Sequence, residues 1–190
     1  TENFLGNGYK VNVIDDFSTG NIENLKKFKN IKRLSIFKGS IGDKKKLLKA
    51  LKGCEGVIHC ATRNVRFSIN NPIKTHEVNS KNTLQLLEQA RKLNIKKFIY
   101  CSSSEVYGNC NFKSKKLKED EYFNPTTIYG ATKLAGEYYA KVYKNLYKLN
   151  LIIIRPFNLY GERAHMIGDS AEVISRFFLN LMQNKDVFIF

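Results

Sequence analysis

Ile128-Tyr129-Gly130-Ala131-Thr132-Lys133-Leu134-Ala135-Gly136-Glu137 reads as part of a helix running from Thr126 to Leu149. It lies between two apolar runs that read as strands, Lys96 to Ser102 and Leu151 to Arg155. Strand, helix and strand in that order form a crossover unit, and such units build parallel sheets. The alternation holds along the chain. Tyr9 to Asp15 and Arg33 to Lys38 read as strands, separated by a turn and a short basic helix. Lys44 to Leu51 reads as helix and Gly56 to Ala61 as a short buried strand. Lys81 to Leu93 is amphipathic, with Leu84, Leu87, Ala90 and Leu93 on or near one face. Asn109 to Pro125 is polar, has no period and reads as loop. Ala171 to Asn184 reads as a last helix, followed by a strand start at Val187 to Phe190. The class is α/β with a parallel sheet, and there is no internal repeat or linker.

A chain of 190 residues, 43% hydrophobic, can bury the core of one sizeable domain. No apolar run approaches the length of a membrane span, and the start lacks a basic-then-apolar signal. The cysteines are Cys54, Cys60, Cys101 and Cys110, with no C-x-x-C spacing. Two fall in runs that read as buried strands, so free cytosolic thiols are expected rather than disulfides or zinc ligands. The histidines are scattered and make no metal pattern, and His59 reads as a structural strand residue. Net charge is +15, from 32 basic and 17 acidic residues. Most of the basic residues are dispersed lysines, without a nucleic-acid motif or an aromatic platform. That favours a solvated surface over nucleic-acid binding, and the positive field also suits an anionic small molecule.

Tyr129 and Lys133, four residues apart, share a helical face. A nearby ammonium favours the phenolate, so the pair is a candidate acid/base centre for a sugar-type hydroxyl. An isolated Y-x-x-x-K is weak evidence; a solvated helix face gives the same spacing, as Tyr143 and Tyr147 do in the same lysine-rich stretch. Its company changes the reading. Upstream stands Tyr100-Cys101-Ser102-Ser103-Ser104-Glu105-Val106-Tyr107-Gly108, and downstream Arg155-Pro156-Phe157-Asn158-Leu159-Tyr160-Gly161. Val13-Ile14-Asp15-Asp16-Phe17-Ser18-Thr19-Gly20-Asn21 and Gly56-Val57-Ile58-His59-Cys60-Ala61 precede them. Together these segments resemble the extended short-chain dehydrogenase/reductase superfamily, and within it the NAD-dependent nucleotide-sugar epimerase/dehydratase family, over nearly the whole chain.

The resemblance implies a Rossmann-like doubly wound parallel sheet, incomplete at both ends. In a dinucleotide-binding fold the ribose-binding acid follows the glycine-rich turn by about 20 residues. With Asp15 as that acid, the turn and the first, central strand would precede residue 1, and Thr1 to Gly8 would be the tail of the next helix. Residues 1–190 are then a partial NAD-binding Rossmann domain, with the substrate lobe starting near 158–190. Such a fragment exposes a strand edge and apolar surface.

Asp15 ends an apolar strand, where a carboxylate can accept from both adenosine ribose hydroxyls and repel a 2′-phosphate; a turn or cap aspartate is the plainer alternative. By resemblance, Asp16 and the turn after it wrap the adenosine. Ser40 and Ile41 stand where the family carries Asp and an aliphatic residue near the adenine. Cys60, Ala61 and Thr62 pass along the cofactor, with Asn79 nearby, and Asn82 stands where glycine is usual. Ser103 is the candidate catalytic hydroxyl, hydrogen-bonding the reacting sugar oxygen and relaying its proton to Tyr129, with Ser102 and Ser104 as neighbouring alternatives. Tyr129 is the general acid/base. Lys133 binds the nicotinamide ribose and lowers the phenol pKa. Phe157 contacts nicotinamide and Asn158 reaches the substrate, unless both are structural strand-end residues.

The implied activity is that of an NAD-dependent nucleotide-sugar epimerase, cytoplasmic, without metal, and a homodimer when full length. Ser104-Glu105 keeps a 4,6-dehydratase or a UDP-glucuronate decarboxylase open, with Glu105 as a further catalytic group. An inactive NAD-binding or basic scaffold protein is the alternative from another class; intact Ser103, Tyr129 and Lys133 argue against it.

Overall fold

A computed structural model describes residues 1–109, 116–165, 171 and 173–187. The elements run α1 (Glu2–Gly6), β1 (Val11–Asp15), β2 (Leu34–Lys38), α2 (Lys44–Leu51), β3 (Gly56–His59), α3 (Val65–Asn70), α4 (Pro72–His76), α5 (Asn82–Lys92), β4 (Lys97–Cys101), α6 (Ile128–Tyr147), β5 (Leu151–Ile154) and α7 (Val173–Met182). Ile22–Phe28 and Ser104–Val106 form 3-10 turns, and Glu77–Lys81 forms a π turn leading into α5. The strands, α2, α5 and α6 fall within a few residues of their predicted bounds. Among the described residues no helix is long and apolar enough to cross a membrane.

Each strand pairing within the sheets is parallel. Val11 to Asp15 face Leu34 to Lys38, Gly56 to His59 face Lys97 to Tyr100, and Phe98 to Cys101 face Leu151 to Ile154. The strands make two sheets, β1-β2 and β3-β4-β5. β1 and β3 do not pair, so each leaves an edge open. Side chains bridge both ends of that break. The Asn12 amide donates to the Ala50 carbonyl at 2.8 Å and lies 3.6 Å from Cys54 Sγ. At the other end, beyond the strands, Arg63 pairs with Asp16 at 3.0 Å.

The core lies between β3-β4-β5 and the helices α2, α5 and α6, around the buried Leu47, Leu87, Ala90, Phe98, Tyr100 and Ala140. α6 starts where Thr127 Oγ1 accepts from the Gly130 amide at 3.0 Å, relieving an unpaired first-turn donor. It ends at Lys148, in the left-handed conformation at φ 56°. Its buried face carries a charge. Glu137, fully buried, receives two bonds from Arg155 at the end of β5, Nε to Oε1 at 2.8 Å and Nη2 to Oε2 at 2.7 Å.

Two details differ from the sequence reading. Residues 62–80 carried no assigned element, yet α3 and α4 form there; each is too short to display a period, and only the Asn64 cap and Pro72 at a helix start mark them. On α5 the buried stripe is Thr83, Leu86, Leu87 and Ala90, while Leu84 and Leu93 are exposed. The predicted stripe sat about one residue off the true face. The expected strand start at Val187 to Phe190 falls mostly outside the described residues, as do Cys110 and part of the loop before Pro125.

Candidate active site

Parallel strands deliver their C-terminal ends to one edge, so the segments after β1, β3, β4 and β5 gather there. After β4 the chain passes Ser102 and Ser103, both buried, into the 3-10 turn. Ser103 caps that turn, its Oγ accepting from the Glu105 amide at 3.2 Å. The start of α6 packs directly on the turn. A Cβ on Gly130 would stand 2.6 Å from the Glu105 carbonyl oxygen, so only glycine permits this approach. Tyr129, the residue before it, is thereby held near the serine run.

One helical turn on, Lys133 reaches back to β4. It is only 3% exposed, and Nζ donates to the Cys101 carbonyl at 2.7 Å. Nζ lies 5.9 Å from the Tyr129 ring centre and 5.3 Å from that of Tyr100. The predicted pair thus shares one face, with the cation beside the ring. Burial pulls the Lys133 ammonium down to about 8, against an opposing pull from the Cys101 and Cys60 thiols. Tyr100 is buried too, and its hydroxyl donates to the Lys133 carbonyl at 3.2 Å.

Ser104, Glu105 and Phe157 line an open cleft of about 230 Å³ with Tyr107, Gly108 and Thr126. Phe157 stacks on Tyr107 at 6.3 Å between centroids. Asn158 follows it and is exposed. Ser103, Tyr129 and Lys133 do not line this cleft; Ser103 and Lys133 are buried and Tyr129 is half-buried.

On the β1 side, Asp15 Oδ1 accepts from the Phe17 amide at 2.7 Å. Asp16 Oδ1 takes the Ser18 amide at 3.0 Å and hydroxyl at 2.6 Å, and Oδ2 takes Arg63. Burial alone would raise the Asp16 carboxyl, but the Ser18 bonds and the Arg63 charge outweigh it and hold it below the ordinary range. Ser40 Oγ accepts from the Gly42 amide at 3.0 Å, and Ile41 is buried. Cys60, just past β3, is exposed, which corrects the expectation of a buried strand thiol; Ala61 and Thr62 beside it are half-buried.

Asn79 is buried on the π turn with its amide engaged. Oδ1 accepts from the Arg63 amide at 2.7 Å, and Nδ2 donates to the Arg63 carbonyl at 2.9 Å and to Thr132 Oγ1 at 3.3 Å. It clamps the loop after β3 to α6. His59 is equally committed. Thr83 Oγ1 donates to the Asn79 carbonyl at 2.6 Å, so it accepts at 2.8 Å from His59 Nε2–H, which fixes the neutral tautomer. Burial, with the Lys133 charge, drives that imidazole down to about 3.

Sequence reasoning missed Arg63. Its guanidinium bonds Asp16 and Ser18 and lies over the Phe67 ring at 5.3 Å, closing the β1 loop onto the β3 loop. It also missed the Glu137–Arg155 pair. The R-P-F-N signal marked Arg155, but nothing in a helix sequence marks Glu137 as inward-facing. Among the described residues no group of three or more His, Cys, Asp or Glu is placed to hold a metal.

The model of the NAD dependent epimerase/dehydratase family matches residues 1–190. The chain belongs to this family. Among family relatives, the UDP-glucose 4-epimerase of Mycolicibacterium smegmatis is 34% identical over 193 residues, covering 100% of this chain and 60% of that protein. Of solved structures, the UDP-glucose 4-epimerase of Thermotoga maritima with UDP-glucose superposes with a TM-score of 0.90 at 30% identity, over 100% of this chain and 60% of that one. The UDP-N-acetylglucosamine 4-epimerase of Methanobrevibacter ruminantium, in complex with UDP-N-acetylmuramic acid, gives 0.87 at 34% identity, over 95% of this chain and 57% of that one. The chain therefore spans about 60% of the length of the curated family members it matches first. These neighbours are Rossmann-fold epimerases, which makes the two parallel sheets part of a doubly wound α/β fold.

Proposed function

We propose that the whole protein is an NAD-dependent nucleotide-sugar epimerase in which Tyr129 moves the proton of a sugar hydroxyl. The observation that carries this reading is the buried Lys133 ammonium set beside the Tyr129 ring and anchored on the end of β4, next to the Ser102-Ser103 run. Tyr129 takes the hydroxyl proton as phenolate and returns it as phenol. Lys133 favours the phenolate by its charge. Ser103 Oγ bonds the reacting oxygen and passes its proton to Tyr129.

The residues present fit a dinucleotide. Ser102 Oγ and Arg63 Nε are buried and lack a hydrogen-bond partner among the described residues, on the two strand ends that border the crevice. Asp15 and Asp16 offer carboxylates at the end of β1, suited to ribose hydroxyls rather than to a phosphate. Asp15, Asp16, Ser40 and Ile41 would hold the adenosine half. Cys60, Ala61, Thr62, Lys133 and Phe157 would hold the nicotinamide half, with Asn79 fixing the loop between them. When bound, NAD supplies a reversible hydride acceptor. Asn158 and Ser104 would contact the sugar-nucleotide, and the substrate lobe would begin near 158–190. The excess of 15 positive charges attracts such an anionic substrate.

Glu105 favours a second reading. It lines the open cleft beside Ser104 and Phe157, where a carboxylate could serve a 4,6-dehydratase or a UDP-glucuronate decarboxylase. Proton NMR of UDP-sugars and dTDP-glucose incubated with the full-length protein distinguishes them. A sugar inverted at one carbinol carbon, without net NADH, supports the epimerase. A 4-keto-6-deoxy sugar or a released pentose nucleotide would transfer the assignment to the second reading.

A further inference from the structure

We propose that Cys60 and Cys101 form a redox-active dithiol at the edge of the crevice, which a small-molecule disulfide closes to a protein disulfide. Neither thiol has a part in the proton relay, although Cys60 borders the proposed nicotinamide site and the Cys101 carbonyl holds Lys133.

The strand register creates it. His59 faces Tyr100 in the parallel β3–β4 pair, so the next residue on each strand faces the other, Cys60 against Cys101. The two sulfur atoms lie 3.3 Å apart. Neighbouring strands run about 4.8 Å apart, within the Cα separations that disulfides span. Closure to a bond of about 2.05 Å therefore needs an approach of roughly an ångström. As residues, Cys60 is exposed and Cys101 half-buried.

The surroundings favour attack by Cys60. The hydrogen bond with Cys101, and then the Lys133 charge, lower its thiol to about 7; the residue is exposed, but its sulfur is desolvated against Cys101, and that opposes the shift. The Cys101 thiol is pushed the other way, first by its bond with Cys60 and then by burial. One thiol of the pair is thus the nucleophile and the other the resolving group.

The chemistry balances as an exchange. Cys60 thiolate attacks one sulfur of the small disulfide, and the first small thiolate leaves. Cys101 loses its proton and attacks Cys60 Sγ in the mixed disulfide, expelling the second. Two protein thiols are oxidised by two electrons, and one small disulfide is reduced to two thiols.

The test uses the full-length protein, reduced, desalted and treated anaerobically with oxidised glutathione. Free thiols are then alkylated, and non-reducing digests are read by mass spectrometry. The expected result is a Cys60–Cys101 cross-linked peptide pair, with loss of two titratable thiols and their recovery on adding dithiothreitol. Cys60→Ser should abolish the cross-link. In denaturant the preference for this pairing should vanish. Free or separately glutathionylated Cys60 and Cys101 would overturn the proposal. So would a cross-link to Cys54 or Cys110 instead, or an equal rate of Cys60–Cys101 closure in denaturant.

Discussion

Glu137→Ala removes one half of the buried pair that ties α6 to the end of β5. The glutamate side chain is fully buried and the arginine only 10% exposed, with two short parallel bonds between them. Arg155 also donates to Tyr107 Oη at 2.9 Å and to the Glu119 carbonyl at 2.8 Å, so the guanidinium stays in place when its carboxylate is lost. An unpaired charge is then left in the interior. Breaking a buried pair in this way costs about 3–5 kcal/mol, which should lower Tm by several degrees. Thermal unfolding of the full-length protein, followed by circular dichroism, reads the shift directly. Glu55→Ala is the control: its pair with Lys96 has both side chains more than 70% exposed, and its loss should barely move Tm. Arg155→Ala in the Glu137→Ala background should recover part of the loss, because the orphaned charge goes with it. A Glu137→Ala shift no larger than that of Glu55→Ala would refute the claim that this pair locks α6.

Three further outcomes are expected. His59 is held neutral to about 3, below its ordinary 6.5, so the unfolded state takes up a proton that the folded state refuses as pH falls between these values. Denaturant midpoints should fall more between about pH 7 and about pH 5 in the wild type than in His59→Asn, and parallel falls would count against the assignment. Gly136→Ala would place a Cβ 2.6 Å from Tyr100 Cζ. It should lower Tm despite the better helix propensity, since overpacking costs about 1–3 kcal/mol against about 1 kcal/mol gained; an unchanged or raised Tm would show that α6 can ride up from β4 freely. Asp15→Asn should narrow a preference for NAD over NADP in calorimetry, and equal binding of both cofactors by the wild type would remove Asp15 from the ribose role.

The crossover pattern was legible because its strands are apolar and its helices long enough to show a period, as β4, α6 and β5 illustrate. Lys44–Leu51 matched to the residue because Asp43 caps it, accepting from the Lys46 amide. Val65–His76 was not legible: helices of six and five residues carry little period, and their packing is a tertiary matter. The Tyr129–Lys133 face could be read from spacing alone. That Lys133 would be buried and would bond the Cys101 carbonyl could not, because the contact crosses 32 residues. Arg63 escaped for the same reason: it gains meaning only when the loops after β1 and β3 meet. Asn79 was marked as a cofactor residue, yet its amide is committed to Arg63 and Thr132, a positioning role that sequence spacing does not display.

The most direct measurement is turnover of a nucleotide-sugar by the full-length Tyr129→Phe protein, with NAD binding followed in the same preparation by calorimetry. The substitution leaves the ring beside Lys133 and removes only the hydroxyl. Loss of a general acid/base predicts a fall in kcat of about 10²–10⁴-fold with NAD still bound. Near-wild-type turnover by this variant would contradict the account, because the proton would then move without Tyr129.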